Sequence, residues 1–354
     1  MAVPSLTRNL DDDFVNTWYE IRSEVVDNIL DATILTLALR EFGCMVPQVG
    51  GEYITRTPGY GEKSSQRFDK GTTLEQSVPE LDTLAMWNWR YFLVDINRSW
   101  VDDHKNEGPF EIKDYLMRRL EAARNALVQD LEAWLFQWGD YYTAPYQPNG
   151  LYDICPNYTA EDAVGDGSAS DSQAVGTSNG GIDRATNTWW RNWVSYNGGS
   201  YSKANKIIGD TTEPFSLNLL PDLRHAFNTV RANKEAPNFI LCDQEIYEVY
   251  EDDVSDRQQI VRSAFSRLAA DLGFDVFTFK GATMSYSEEL ASTKHLFMLN
   301  MNHIEFVYNP NAWFDFIDWM RTPNQLERVA YIACMTSGMI TDEPRRHGVM
   351  EYAS

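Results

Sequence analysis

Apolar residues recur at spacings of three and four from Leu116 through Leu120, Ala123, Leu127, Leu131 and Trp134 to Trp138. The pattern forms one stripe along one side of a helix. It predicts a helix over residues 111–138 that lies across another layer. Glu111 and Asp114 near its start suit the helix dipole, and Gly139 follows its end. At 1.5 Å per residue it spans about 40 Å. A second helical pattern covers residues 11–42, with Trp18, Ile21, Val25, Ile29 and Ile34 at near-helical spacing between an acidic start at 11–13 and a stop at Gly43.

Past Pro47, Gly50 and Gly51 the pattern turns β-rich. Tyr53, Ile54 and Thr55 form one arm, and Trp87, Trp89, Tyr91, Leu93 and Ile96 the other. Between them, residues 59–73 are Gly, Ser, Thr and charge, which predicts a long hairpin with a polar tip. Such an excursion is too long for a plain connector. Further on, "NLLPDLRHAFNTVRAN" reads as helix and "NFILC" as a buried strand. "QEIYEVYEDDVSDRQQIVRSAFSRLAADLG" reads as a long acidic helical region, and "VFTFKGATMSYS" and "KHLFMLNMNHIEFVYN" as strands. The C-terminal stretch predicts a long strand, a turn near Pro344 and a last short strand. Residues 165–181, rich in Gly, Ser, Asp and Asn, predict a surface loop. The sum is an α+β chain with mostly antiparallel strands, no internal repeat and no βα alternation.

The 354 residues allow two domains or one elaborated domain, and 43% apolar content makes the chain globular. With 30 Lys and Arg against 52 Asp and Glu, the net charge is −22. That field opposes broad binding to nucleic acid or to an anionic membrane, while leaving room for a local basic patch. Cys44, Cys155, Cys242 and Cys334 are far apart and form no CxxC pair, as expected for a reducing compartment. The first residues lack the basic start and apolar core of a secretion signal. "ILDATILTLAL" contains Asp31 and is too short to span a bilayer. The expectation is a soluble intracellular protein.

Catalytic patterns are missing. "GYGEKSS" at 59–65 fails the P-loop spacing, no G-x-S-x-G elbow occurs, and the five histidines form no metal-binding motif. No metal or cofactor is expected. The run Asp243–Asp256 has seven carboxylates without calcium-loop spacing, so it reads as a solvated helix face. Trp189, Trp190 and Trp193, in "GGIDRATNTWWRNW", could stack sugars or bases, or anchor the chain after the preceding loop. Trp189 and Trp193 share a helical face, which favours the anchor. The rival function is an acidic, aromatic-rich carbohydrate-binding or carbohydrate-active protein, which would need a cleft with paired carboxylates.

The segments "GGIDRATNTWWRN", "APNFILCDQEIYEVYE", "GFDVFTFKGATMSYS", "HLFMLNMNHIEFVYNP" and "TPNQLERVAYIACMTSGMITDEPRRHGVM" occur in this order after the long helix. This order resembles the major capsid proteins of tailed double-stranded DNA bacteriophages, which have the Hong Kong 97-type fold. The resemblance runs from about residue 10 to the end. It implies an N-terminal arm at 1–48, an extended E-loop at 49–98 that lies over a neighbouring subunit, and a peripheral (P) domain at 99–144 with spine helix 111–138. An axial (A) domain at 145–304 and a return through the P-domain sheet at 305–354 complete it. The turn "DWMRTPNQ" at 318–325, with Arg321, is implied to lie near local three-fold contacts.

The function implied is a non-enzymatic coat protein that assembles in the host bacterial cytoplasm. Hexamers and pentamers of it would close the icosahedral head of a virion around double-stranded DNA, without sequence-specific binding. Its partners would be itself, a separate scaffolding protein, a portal and a decoration protein, with no membrane. Neither E-loop lysine, Lys63 or Lys70, is marked for covalent crosslinking. From charge alone, Lys63, Arg67 and Lys70 give the hairpin tip a net +1 against Glu62 and Asp69. The tip is therefore expected to dock on an acidic surface of the adjacent subunit.

Overall fold

The computed structural model describes residues 33–61, 67, 69–70, 81–99, 101, 114–137, 146–156, 178–184, 186–196, 215–231, 235–255, 277–291, 293–321 and 327–351. Helix α1 (Ile34–Glu41) leads to strand β1 (Met45–Pro47). Strands β2 (Tyr53–Arg56) and β3 (Ala85–Asn88) pair as a hairpin, and β4 (Arg90–Ser99) follows. The long helix α2 (Asp114–Leu135) and the single turn α3 (Leu151–Ile154) come next, then the miniature hairpin β5 (Ser178–Asn179) and β6 (Ile182–Asp183). A 3-10 turn at Thr188–Trp190 feeds β7 (Trp193–Tyr196). Then come α4 (Phe215–Val230), β8 (Phe239–Cys242), α5 (Gln244–Ser255), β9 (Phe277–Phe279), β10 (Ala282–Tyr286) and β11 (His295–Leu299). The chain closes with β12 (Ile304–Tyr308), β13 (Asp315–Arg321), β14 (Glu327–Thr341) and β15 (Gly348–Glu351).

Two main sheets organise the described residues. The five-stranded sheet is built on β14, a run of β-branched and apolar residues long enough to take three partners. Along one edge it pairs with β12 and then β13; along the other it pairs with β4 from Ser99 to Arg90. Strand β1 adds in parallel outside β12. The six-stranded sheet runs β7-β15-β11-β8-β10-β9. Among the described strands, three pairs are parallel: β1 with β12, β8 with β10 and β7 with β15. The other strand pairs are antiparallel, as the sequence pattern implied.

Helix α2 packs on one face of the five-stranded sheet. Ala123, Leu127, Leu131 and Leu135 are buried with Phe92 and Ile96 of β4 and with Ala330, Ile332 and Cys334 of β14. Burying each leucine contributes about 2–3 kcal/mol. Trp134, on the same stripe, meets Phe92 edge-on with ring centroids 5.1 Å apart. The same core takes in α1 and one face of the six-stranded sheet, through Phe239, Leu241, Phe297 and Leu299. The other face of that sheet, with Ile240, Cys242, Met284, Leu296 and Met298, packs on α4 and α5. Helix α1 ends in two bonds that close its last turn: Cys44 N–H to Leu39 O at 2.9 Å and Gly43 N–H to Arg40 O at 3.0 Å.

Several expectations shift. The predicted helix 111–138 is observed over Asp114–Leu135, 22 residues or about 33 Å, and residues 111–113 and 138 lie outside the described set. Of the predicted helix 11–42, residues 11–32 also lie outside it. The second hairpin arm divides: Ala85–Asn88 pairs with Tyr53–Arg56, whereas Arg90–Ser99 joins the large sheet through β14. The last strand, Gly348–Glu351, does not return through the five-stranded sheet. It inserts between β7 and β11 of the other one, because the turn at Pro344–Arg346 redirects the chain. Asp243, first of the acidic run, is buried and accepts hydrogen bonds from the N–H groups of Lys294 (2.7 Å) and Glu245 (3.4 Å), tying β11 to the start of α5. Among the described residues no helix is long and apolar enough to cross a membrane.

Candidate assembly surfaces

The predicted tryptophans build a socket for the hairpin. Trp190 is fully buried, and its indole N–H donates to Asn179 O at 3.0 Å. The Asn179 side chain accepts from the Trp87 indole of β3 at 2.7 Å. Met86 N–H donates to Gly180 O at 2.9 Å, so the miniature hairpin β5–β6 docks on the edge of β3. Gly180 has φ +60°, and a Cβ there would stand 2.8 Å from the Trp87 ring, so glycine is required both for the turn and for the close approach. Ile54, Ala85, Trp87, Trp89, Ile182, Trp190, Val307 and Ile340 form one buried cluster. Trp189 stacks on Tyr60, with centroids 4.4 Å apart and planes 10° from parallel.

The expected helical face of Trp189 and Trp193 does not form: Trp189 belongs to the 3-10 turn and Trp193 to strand β7. Trp193 is half-buried and packs on the core beside α4. The aromatic faces singled out for sugar stacking thus contact the protein itself, and the carbohydrate reading loses the feature that motivated it.

The hairpin continues beyond its paired strands. The bridge Gly59↔Asp82 keeps the register set by Tyr53↔Asn88, and Tyr60 N–H donates to Leu81 O at 2.9 Å. Its two faces differ. Ile54, Ala85 and Trp87 are buried in the socket, while Tyr53, Leu84 and Met86 are exposed. At the tip-ward end of the paired strands Arg56 binds Glu305 of β12 through Nε (2.8 Å) and Nη2 (2.6 Å), holding the hairpin to the sheet.

The five-stranded sheet shows the same asymmetry. Its face opposite α2 carries exposed Tyr91 (68%), Leu93 (56%), Ile317 (40%) and Met320 (51%), with half-buried Tyr331, Ala333 and Met335 between them. These exposures are large for apolar positions, and Asp95 and Asp315 share the face, in register with Tyr331 and Ala333. Sequence reasoning passed over these residues because β4 read as a hairpin arm; apolar residues on both of its faces were the available signal.

The proposed basic contacts are scattered. Lys63 lies outside the described residues; Arg67 and Lys70 are exposed on the hairpin tip. Arg321 is exposed at the end of β13, in register with Arg328, which is itself in register with Arg98. Where α2 meets the second sheet, Glu132 is pushed up to about 7 by burial, with Glu289 and Glu288 adding repulsion and a bond from Ser287 opposing it. The four cysteines are free and buried; burial raises Cys44 and Cys155 to about 12, so neither is a ready nucleophile. Among the described residues no group of His, Cys, Asp and Glu could hold a metal ion.

This architecture has solved counterparts. The chain matches the capsid of a native GTA particle with a TM-score of 0.51 and 12% identity, over 90% of each chain. It matches the capsid of Myoviridae phage XM1 at 0.54 and 9%, over 90% of this chain and 92% of that one. For the cyanophage A-1(L) capsid the values are 0.55 and 13%, over 86% and 89%. The chain has the Hong Kong 97-type fold. No protein-family model matches the sequence, and no curated protein matches it. At these identities the likeness resides in the backbone path, so the Hong Kong 97-type fold is carried here by a different set of side chains.

Proposed function

We propose that this chain is the major capsid protein of a tailed double-stranded DNA phage. Hexamers and pentamers of it close an icosahedral head around the genome, and it performs no reaction. The observation that carries this reading is the fold match to capsid subunits over about nine-tenths of both chains. Two outward apolar faces, on the hairpin and on the five-stranded sheet, support it further.

On this reading residues 49–98 are the E-loop, lying over a neighbour. The α2-bearing sheet is the P domain and the six-stranded sheet the A domain. The return at 305–354 then ends within the A domain. Trp189, Trp190 and Trp193 act as structural anchors. Lys63, Arg67 and Lys70 meet an acidic surface of the adjacent copy, and Arg321 lies near local three-fold contacts. A separate scaffolding protein, a portal and a decoration protein complete the set of partners. The net charge of −22 keeps packaged DNA off the wall.

The test is size-exclusion chromatography of the purified chain, with negative-stain microscopy. Shells, tubes or rings of capsomers are expected. A solitary monomer at all concentrations, with scaffolding protein co-expressed, would overturn the reading. Replacing Tyr91, Leu93 and Met320 together by Lys is expected to leave a folded chain that no longer forms particles.

A further inference from the structure

Two segments carry the chain between the sheets side by side: Asn300–His303, from β11 to β12, and Asp342–His347, from β14 to β15. His347 is buried between them. Its Nδ1 accepts from Asn300 N–H at 3.3 Å, and its Nε2 meets Thr341 Oγ1 at 3.1 Å. Burial pulls its pKa down to about 3, so this ring stays neutral.

His303 stands at the outer side of the same crossover, held at both ring nitrogens. Nδ1 is 3.0 Å from Asp342 Oδ1, and Nε2 is 2.8 Å from Glu235 Oε2, just ahead of β8. A neutral imidazole donates from only one nitrogen, so carboxylates at both positions are satisfied only by the imidazolium. Arg346 Nη1 binds the same Glu235 oxygen at 2.8 Å, and its Nε donates to Glu343. Arg345 lies 3.6 Å from Glu343. The groups around His303 are thus Asp342, Glu235 and Arg346, with Glu343 and Arg345 one step further out and neutral His347 behind.

We propose that His303 is a proton-operated clasp on this double crossover. Its imidazolium ties the two crossing segments to each other and to Glu235, and loss of its proton lets the crossover open. The bond to Asp342, foremost, and then the bond to Glu235 raise the His303 pKa above its ordinary 6.5 against the cost of burial. The same pairing with His303 is the main cause that holds Glu235 below the usual carboxylate range. The signs follow from linkage. The contribution of His303 is complete below about 6.5 and is lost as pH rises through its raised pKa. That of Glu235 is lost as pH falls through its depressed one. The clasp is therefore closed between the depressed pKa of Glu235 and the raised pKa of His303, and it opens as pH climbs past the latter.

If the chain tiles a shell, this crossover is where its two sheets adjust to differently curved positions; that consequence rests on the capsid reading, and the clasp does not. The test is hydrogen exchange by mass spectrometry on the dispersed full-length chain, so failure to assemble and failure of the clasp are read separately. Rates are divided by the intrinsic amide rate at each pH. Between about pH 6 and about pH 8.5, protection over 300–303 and 342–347 is expected to fall at least about ten-fold, while β8 stays unchanged. His303→Gln is expected to be poorly protected there at both pH values. Unchanged protection in the wild type, a fall shared equally by β8, or wild-type behaviour in His303→Gln would each overturn the proposal. Should His303→Gln fail to fold, the wild-type pH series decides alone.

Discussion

The two sheets of this molecule are buried in opposite ways. Strands β8 and β11 are buried at every position, because one face meets α1 and the α2 side of the core and the other meets α4 and α5. Strand β4 alternates instead: Phe92 and Ile96 turn to α2, while Tyr91 and Leu93 face outward. A sheet with helices on both faces is complete as a monomer. A sheet with an uncovered apolar face has part of its hydrophobic free energy still to gain. The difference separates the part of the chain whose apolar surface is satisfied internally from the part that leaves apolar side chains in solvent.

The sharpest test sets one sheet against the other. Leu241→Ala, inside the six-stranded sheet, is expected to cost about 3 kcal/mol in urea unfolding, from lost burial and the cavity left behind. The chemically equal change Leu93→Ala on the outward face is expected to cost less than about 0.5 kcal/mol in the dispersed chain. Equal costs for the two would break the comparison.

Gly180→Ala probes the joint between the hairpin and the socket. Its positive φ and the 2.8 Å approach to Trp87 are expected to cost about 2 kcal/mol, seen in thermal melts and in a change of tryptophan fluorescence. A neutral result would mean that the close approach of Gly180 to Trp87 contributes nothing to seating the hairpin.

Glu132 tests the seam between α2 and the second sheet. Its folded pKa of about 7 lies above the ordinary 4.5, with burial the main cause, so the folded chain holds a proton that the unfolded chain has released. Stability therefore falls as pH rises from about 4.5 to about 7, by about 1–2 kcal/mol after allowing for partial solvent screening. Glu132→Gln should flatten that slope, checked by urea midpoints at about pH 5 and about pH 8. A wild type whose midpoint is the same at both pH values would remove the seam's charge strain.

Legibility followed the range of the interactions. Helix α2 was readable because its stripe is a local repeat: Leu127 and Leu131 sit four residues apart and face one layer. Strand β8 was readable as an unbroken apolar run. The hairpin arms were readable too, but their division at Trp89 was not, since the partner that claims Arg90–Ser99 lies more than 200 residues later in β14. The tryptophans stood out by composition. That Trp190 and Trp87 both depend on Asn179, an unremarked residue in a polar loop, could be seen only once the hairpin and the loop were in place.

Taken alone, the sequence determined the spine of helix α2, the apolar run of β8, the charge balance and the motif spacings, because these depend on neighbours a few positions apart or on totals. Only the tertiary structure decided which sheet each strand joins, which apolar residues remain uncovered, and that His303 stands between Glu235 and Asp342. Those outcomes depend on pairings between residues distant along the chain, which local pattern does not encode.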